Sequence, residues 1–284
     1  MPFITRFAPS PTGPLHLGHA YSAILAHDSA TRDNGTFLLR IDDLDQTRSR
    51  PEWEAQIFDD LSWLGLHWPR PVLRQSDRLP RYIKTLEILW DQGLLYPCSC
   101  SRADIRAAVS APQEGAPLHG PDGLIYPGTC RPAQPPTGPM PDSPLRLDMA
   151  RALAHLGRAP AFTETGAGPD GETGLITPSD MTRTVGDVAL ARPGLGASYH
   201  LSVVVDDADQ QVSHVIRGRD LFSATQIHVL LQGLLGLPTP IYHHHRLIRD
   251  DHGKRLAKRD DARAIATYRA EGKTPRDIRA MLGL

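Results

Sequence analysis

Residues 9–19 read P-S-P-T-G-P-L-H-L-G-H, with two imidazoles, His16 and His19, three residues apart around Gly18. Pro9, Pro11, Gly13 and Pro14 predict a rigid loop. From about Gly18 to Arg32 the composition turns helical, with Leu17, Tyr21 and Leu25 at helical spacing. The two histidines therefore stand where a loop hands over to a helix. Helix N-terminal amides attract phosphate, and Gly18 has no Cβ to keep a base or backbone away. Imidazole N–H groups can stabilise charge developing on a transferring phosphoryl group. The chemistry this suits is activation on ATP; the plainer alternative is two incidental histidines. Residues 255–259 (R-L-A-K-R) form a second candidate, a basic loop that could bring Arg255 and Lys258 to the same phosphates, or simply a solvated charge run. Two other phosphate motifs fail. Gly272-Lys273-Thr274 lacks the upstream glycine of a Walker loop, and residues 166–171 (G-A-G-P-D-G) follow no apolar strand and contain Pro169, so they read as a turn.

The elements that must position these groups are partly readable. Residues 3–7 and 36–41 are β-rich and flank the predicted helix, which implies a parallel pair with a right-handed crossover. The histidine loop then lies at the carboxyl edge of a sheet, where open α/β sheets bind ligands. Residues 57–95 stay helical, broken by Pro69 and Pro71. Residues 199–205 (Y-H-L-S-V-V-V), 214–217 and 241–248 are predicted strands, with a helix over 221–235; Asp206-Asp207 is expected to end the first of these strands as a turn. The expected fold is α/β, one parallel sheet interrupted by a Gly/Pro-dense insertion. Its first half is 1–95, the insertion 96–196, the second half 197–250, and the basic loop with a helical C-terminal segment 251–284.

The chain has 284 residues, 22% charged and 40% hydrophobic, with a formal net charge of −1, so no global basic field announces nucleic acid. From residue 251 onward, nine Lys/Arg stand against five Asp/Glu, a local strip that is either a solvated face or a phosphate contact. No stretch approaches the roughly 20 apolar residues of a membrane span. The start lacks a secretory pattern, and three cysteines make no disulfide framework, so a cytoplasmic setting is expected. Cys98, Cys100 and Cys130 could offer three thiolates to tetrahedral zinc, with Tyr126 or His119 as a fourth ligand, or could be idle thiols. In the His243-His244-His245 run only the outer two share a strand face, and no acid adjoins them, so the run reads as structural or close to ATP.

Four segments occur in order along the chain: R-F-A-P-S-P-T-G-P-L-H-L-G-H from Arg6, L-R-I-D-D-L-D from Leu39, H-V-I-R-G-R-D-L from His214, and R-L-A-K-R. Together they resemble the catalytic domain of the glutamyl-tRNA synthetases, a class I family. The resemblance implies a Rossmann-type sheet, with ATP, its magnesium and L-glutamate as ligands. His16, His19 and Lys258 would act at the reacting phosphate, with Pro9, Gly18 and Arg255 also around ATP. Arg6, Phe7, Ala8, Pro9, Ser10, Asp42, Tyr199 and Arg217 would surround glutamate, the two guanidinium forks suiting its carboxylates. Asp42 stands where the family usually has glutamate, which leaves room for a bridging water to the substrate ammonium, and Ala257 replaces the usual serine. The family's C-x-C…Y-x-x-x-C set implies one structural zinc on Cys98, Cys100, Tyr126 and Cys130. The sequence ends 25 residues after Arg259, without room for an anticodon-binding region. That pattern resembles the glutamyl-queuosine tRNA(Asp) synthetases, and implies a monomer that transfers glutamate to queuosine on the anticodon stem-loop of tRNA(Asp). A non-RNA amino-acid ligase and a catalytically silent RNA-binding paralogue are the rival expectations.

Overall fold

The computed structural model describes residues 2–109, 119–192, 196–248 and 263–284. Strand β1 (Ile4–Phe7) runs into the proline-rich loop, helix α1 (Leu17–Arg32) follows, and β2 (Thr36–Ile41) returns parallel to β1 with Ile4 opposite Thr36. The chain turns between α1 and β2 through Asn34 at φ 49°, and a Cβ on Gly35 would fall 2.2 Å from the Phe3 carbonyl oxygen. No other residue than glycine fits there. Helix α2 (Pro51–Trp63) leads to the short β3 (Leu73–Arg74), parallel on the far side of β2.

Helix α3 (Leu79–Asp91) and β4 (Leu95–Pro97) open the Gly/Pro-dense region. There α4 (Arg102–Val109) is followed by a hairpin of β5 (His119–Gly120) and β6 (Gly123–Leu124), then β7 (Leu145–Leu147), α5 (Met149–Leu156), β8 (Phe162–Glu164), β9 (Gly174–Ile176), α6 (Met181–Thr184) and β10 (Ala189–Ala191). Strands β10, β7 and β4 form an antiparallel sheet of their own. Strands β8 and β9, antiparallel to each other, join the sheet of the second half instead, a four-stranded sheet separate from β1-β2-β3. The expected single parallel sheet is therefore two sheets, and part of 96–196 belongs to one of them. The order in that sheet is β11-β12-β8-β9, where β11 (His214–Gly218) and β12 (Ile241–His245) are parallel neighbours on either side of helix α8 (Thr225–Leu234). Ser213 N–H donates to the Ile4 carbonyl and Ile4 N–H to Ser213 Oγ, which seats β11 beside β1. Residues 166–171 form the expected turn, closed by Gly171 N–H donating to the Gly168 carbonyl.

Residues 199–205 are not a strand. They open helix α7 (Tyr199–Asp209), capped by Ser198, whose side chain accepts from Leu201 N–H. The β-branched run Val203–Val205 suggested a strand, but every residue from His200 to Asp207 is buried. A helix packed on all sides shows no amphipathic period, so a short apolar run cannot reveal it. Asp206 and Asp207 are accordingly helical and buried, not a turn.

One large core joins α3, β4, β7, α5, α7 and α8; the second joins β1, α1, β2 and α2 with Ile265, Tyr268, Ile278 and Leu282 of the C-terminal helices α9 (Ile265–Ala270) and α10 (Pro275–Leu282). Arg279 on α10 pairs with both carboxylate oxygens of Asp28 on α1, at 2.6 and 3.0 Å.

Asp60 on α2 is fully buried, and neither carboxylate oxygen has a hydrogen-bond partner among the described residues. Burial, reinforced by the nearby charge of Asp59, pushes its carboxyl up to about 6. The folded chain therefore holds this proton at pH values where the unfolded chain, at about 4, has released it. Stability drawn from this group falls as pH rises from about 4 to 6. Asp60→Asn is expected to remove that fall and to raise stability at pH 8 by roughly 1–2 kcal/mol. Urea unfolding at pH 4 and pH 8 measures both; an unchanged pH profile would refute the assignment.

Candidate active site

The two histidines at the start of α1 cap it reciprocally. His16 Nδ1 accepts from Gly18 N–H at 3.1 Å, and His19 Nδ1 accepts from His16 N–H at 3.2 Å. An imidazole nitrogen that accepts from an amide carries no proton, so each neutral ring keeps its N–H on Nε2. The rings stack, centroids 3.8 Å apart. A Cβ on Gly18 would meet His16 Cε1 at 3.0 Å, so the glycine also makes room for the folded-back ring.

Behind them lies a cavity of about 360 Å³. Of the expected residues, Arg6, Phe7, Ala8, His16, Gly18, His19, Asp42, Tyr199 and Arg217 line it, together with Ser22, Arg40, Asp220 and His245. Ser10 borders an adjoining cavity of about 310 Å³ that shares Asp42, Tyr199 and Leu221 with the first. Pro9 lines neither, but its carbonyl accepts Asp42 N–H and so fixes the turn after β2. Arg255, Ala257 and Lys258 lie outside the described residues. The flanks of their segment meet the site, since Ile248 lines the cavity and Ala264 bridges to His16.

The cationic wall differs from two open forks. Arg6 Nε and Nη2 grip the carboxylate of Asp207 at 3.0 and 3.1 Å. Fully buried Arg40 donates from Nη1 to Asp207 at 2.6 Å and from Nε to Asp42 at 2.8 Å. Burial alone would raise the Asp207 carboxyl, but the charges of Arg6 and Arg40 hold it below the usual range. Asp42 has less compensation, and burial pushes it up to about 6 against the pull of Arg40. Arg6 retains its end-on pair of N–H groups. Arg217 donates from Nε to His244 Nε2 at 3.1 Å, from Nη1 to His228, and from Nη2 to Thr225 Oγ1 and the Leu221 carbonyl. One N–H of its five remains, so it can offer a substrate a single bond.

In the histidine run, His245 faces the cavity with Nε2 2.8 Å from Ser22 Oγ, while His244 points the other way. An acidic partner for His244 does exist: Glu164 on β8, 2.5 Å from Nδ1. It comes from a distant strand, and the sequence neighbourhood could not show it.

Cys98, Cys100 and Cys130 gather with their sulfurs within 4.8 Å of one another. Sulfurs about 2.3 Å from a tetrahedral zinc lie about 3.8 Å apart, so the three thiols could hold such an ion. Tyr126 Oη lies 3.4 Å from Cys98 Sγ and 3.3 Å from Cys100 Sγ, and accepts Cys130 N–H at 2.7 Å. His119 is not part of the cluster and sits in β5.

The family model for tRNA synthetases class I (E and Q), catalytic domain, matches residues 3–118 and 176–284. The chain belongs to this family. It is a ligase with a class I synthetase fold, and its activity is of the glutamyl-tRNA-synthetase kind. It is 62% identical over 283 residues to a glutamyl-Q tRNA(Asp) synthetase of Rhodobacter capsulatus, covering 99% of this chain and 100% of that one. A glutamyl-Q tRNA(Asp) synthetase of Symbiobacterium thermophilum is 40% identical, with 96% and 83% covered. Among solved structures, a glutamate tRNA ligase from Elizabethkingia meningosepticum, in complex with its amino acid, superposes with a TM-score of 0.74 at 28% identity. The alignment covers 97% of this chain and 59% of that one, so the chain spans less than two thirds of the solved relative.

Around this cavity, sequence reasoning missed Arg40 and Asp207. Arg40 alternates with buried Leu39 and Ile41 in β2, so its full burial requires an internal counter-ion. Nothing local names Asp207 as that partner, 167 residues away.

Cobalt titrated into the metal-free protein is expected to bind with about one equivalent and to show a thiolate charge-transfer band. Cys130→Ser should weaken binding by at least about tenfold. No such band in folded protein would show that the thiols hold no metal.

Proposed function

We propose that the chain activates glutamate with ATP and transfers it to the queuosine base at the wobble position of tRNA(Asp). The observation that carries the activation step is the single cavity joining the His16/His19 helix start to Arg6 and Arg217. An α-carboxylate oxygen attacks the α-phosphorus, the new O–P bond forms, and the bond to the β,γ-phosphates breaks to release pyrophosphate. The Nε2–H groups of His16 and His19, and Lys258 from the signature segment, take up charge on the phosphate; ATP enters as its magnesium complex. The end-on edge of Arg6 and the remaining N–H of Arg217 position glutamate, with Phe7, Ala8 and Tyr199 around it. Asp42, bound to Arg40, faces the ammonium, and Pro9 and Ser10 form the approach. No side-chain nucleophile is required, since alignment and electrostatics suffice.

The acceptor reading rests on the names carried by the relatives, 62% and 40% identical. A queuosine hydroxyl would attack the acyl carbonyl, forming the ester and releasing AMP. The adjoining cavity beside Ser10 and Tyr199 gives it a route. The anticodon stem-loop would then lie along the cysteine-bearing face of residues 96–196, with zinc as a structural staple, in a monomeric cytoplasmic enzyme.

Glutamate-dependent ATP–pyrophosphate exchange is expected without any RNA, and Arg6→Ala should lower it by at least about a hundredfold. Labelled glutamate should pass to tRNA(Asp) only when queuosine is present. Exchange without transfer would favour a non-RNA ligase, ATP binding without exchange a silent paralogue, and transfer to queuosine-free tRNA would refute the acceptor.

A further inference from the structure

Arg217 stands at the head of a chain of imidazoles. A guanidinium only donates. His228 Nδ1, 3.3 Å from Arg217 Nη1, must accept, which leaves the His228 proton on Nε2. That N–H meets His200 Nδ1 at 3.1 Å, so His200 accepts there and carries its own proton on Nε2, 3.4 Å from Asp122 Oδ1. Each link donates outward, from Arg217 to His228 to His200 to Asp122. Burial beside the Arg217 charge holds His228 well below the usual imidazole range, so it stays neutral. The other side of Arg217 obeys the same logic: His244 Nε2 accepts from Arg217 Nε, and its Nδ1–H faces Glu164.

The two ends of the chain belong to different parts of the molecule. His200 on α7 and His228 on α8 are buried, with Tyr199 edge-on to both rings at 5.5 and 5.7 Å. Asp122 sits in the turn of the β5–β6 hairpin, 3.3 Å from Arg192, and borders the cavity next to the substrate cavity. Two neutral imidazoles can hydrogen bond in either direction. The cation at one end and the carboxylate at the other both demand the same direction, and the reversed chain would turn an N–H against Arg217.

We propose that Asp122, His200 and His228 form a one-way positioning relay through which the β5–β6 hairpin sets the orientation of Arg217 for amino-acid binding. The role of Arg217 rests on the function proposed above, whereas the direction of the relay does not. Two measurements on the full chain separate them. Long-range proton–nitrogen NMR should find the Nε2–H tautomer at His200 and His228 and the Nδ1–H tautomer at His244; the opposite tautomer at His228 would overturn the relay. In glutamate-dependent exchange, His228→Phe should raise the KM for glutamate about tenfold with kcat and the KM for ATP nearly unchanged. Asp122→Leu should act in the same direction, Asp122→Asn, which keeps an acceptor, should be close to wild type, and the Asp122→Leu/His228→Phe double variant should be no worse than His228→Phe alone. Additive effects, an Asp122→Asn variant as impaired as Asp122→Leu, or equal damage to the ATP KM would overturn the proposal. The expected tautomers in a wild-type protein without glutamate-dependent exchange would refute the amino-acid reading instead.

Discussion

Everything around the cavity depends on one buried carboxylate. Asp207, on the last turn of α7, takes two hydrogen bonds from Arg6 on β1 and one from Arg40 on β2. Charges removed from water each cost several kcal/mol, and only close opposite charge and full hydrogen bonding return that. The three residues therefore cannot separate without leaving an uncompensated ion in the core. Asp206, one residue earlier, extends the same constraint to Gln75, Arg78 and Tyr82. Two parts of the chain divided by the whole Gly/Pro-dense region are thus locked in register by charge rather than by covalent proximity. Arg6 reaches the cavity with its Nε/Nη2 edge already committed, so its orientation is set before any substrate arrives.

Donor and acceptor inventory does the same for the imidazoles. His16 and His19 each accept a backbone amide through Nδ1, which assigns their Nε2 protons without reference to a ligand. Arg217 assigns His244 and His228 by the same rule, because a group that only donates forces its partners to accept. Four rings, two lining the cavity and two packed behind Arg217, consequently have defined tautomers. A site so arranged loses little on binding charge, since its dipoles need not turn.

Much of this was legible in the sequence, and the exceptions share a cause. The β1–α1–β2 unit was readable because prolines and an Asn-Gly turn punctuate it and α1 begins at a marked loop. Cys98, Cys100 and Cys130 stood out because the chain has only three cysteines, while the choice of Tyr126 beside them came from the family resemblance. Helix α7 was not, since its eight consecutive buried residues erase the amphipathic period and Val203–Val205 mimic a strand. The partners of Arg6, Arg40 and His244 were equally hidden. Asp207 is 201 residues from Arg6, and Glu164 is 80 from His244. Local patterning reports which face of an element is buried; it carries no information about which distant charge neutralises it.

Tyr199 shows how these layers meet. It is the half-exposed first residue of α7, at the boundary of the two cavities, and it is edge-on to His200 and His228. On the proposed reaction, an acyl-adenylate made in the first cavity would be attacked through the second, and the residue at their boundary would govern access of the acceptor and of competing water. A tyrosine suits that position, because its ring packs edge-on against the imidazole pair with apolar surface. Because α7 also carries Asp207, the boundary ring, the buried carboxylate and His200 all sit on one helix. Displacing that helix would disturb the carboxylate that holds Arg6, the aromatic wall and the Arg217 network together, so the helical state of residues 199–209 bears directly on the chemistry of the cavity.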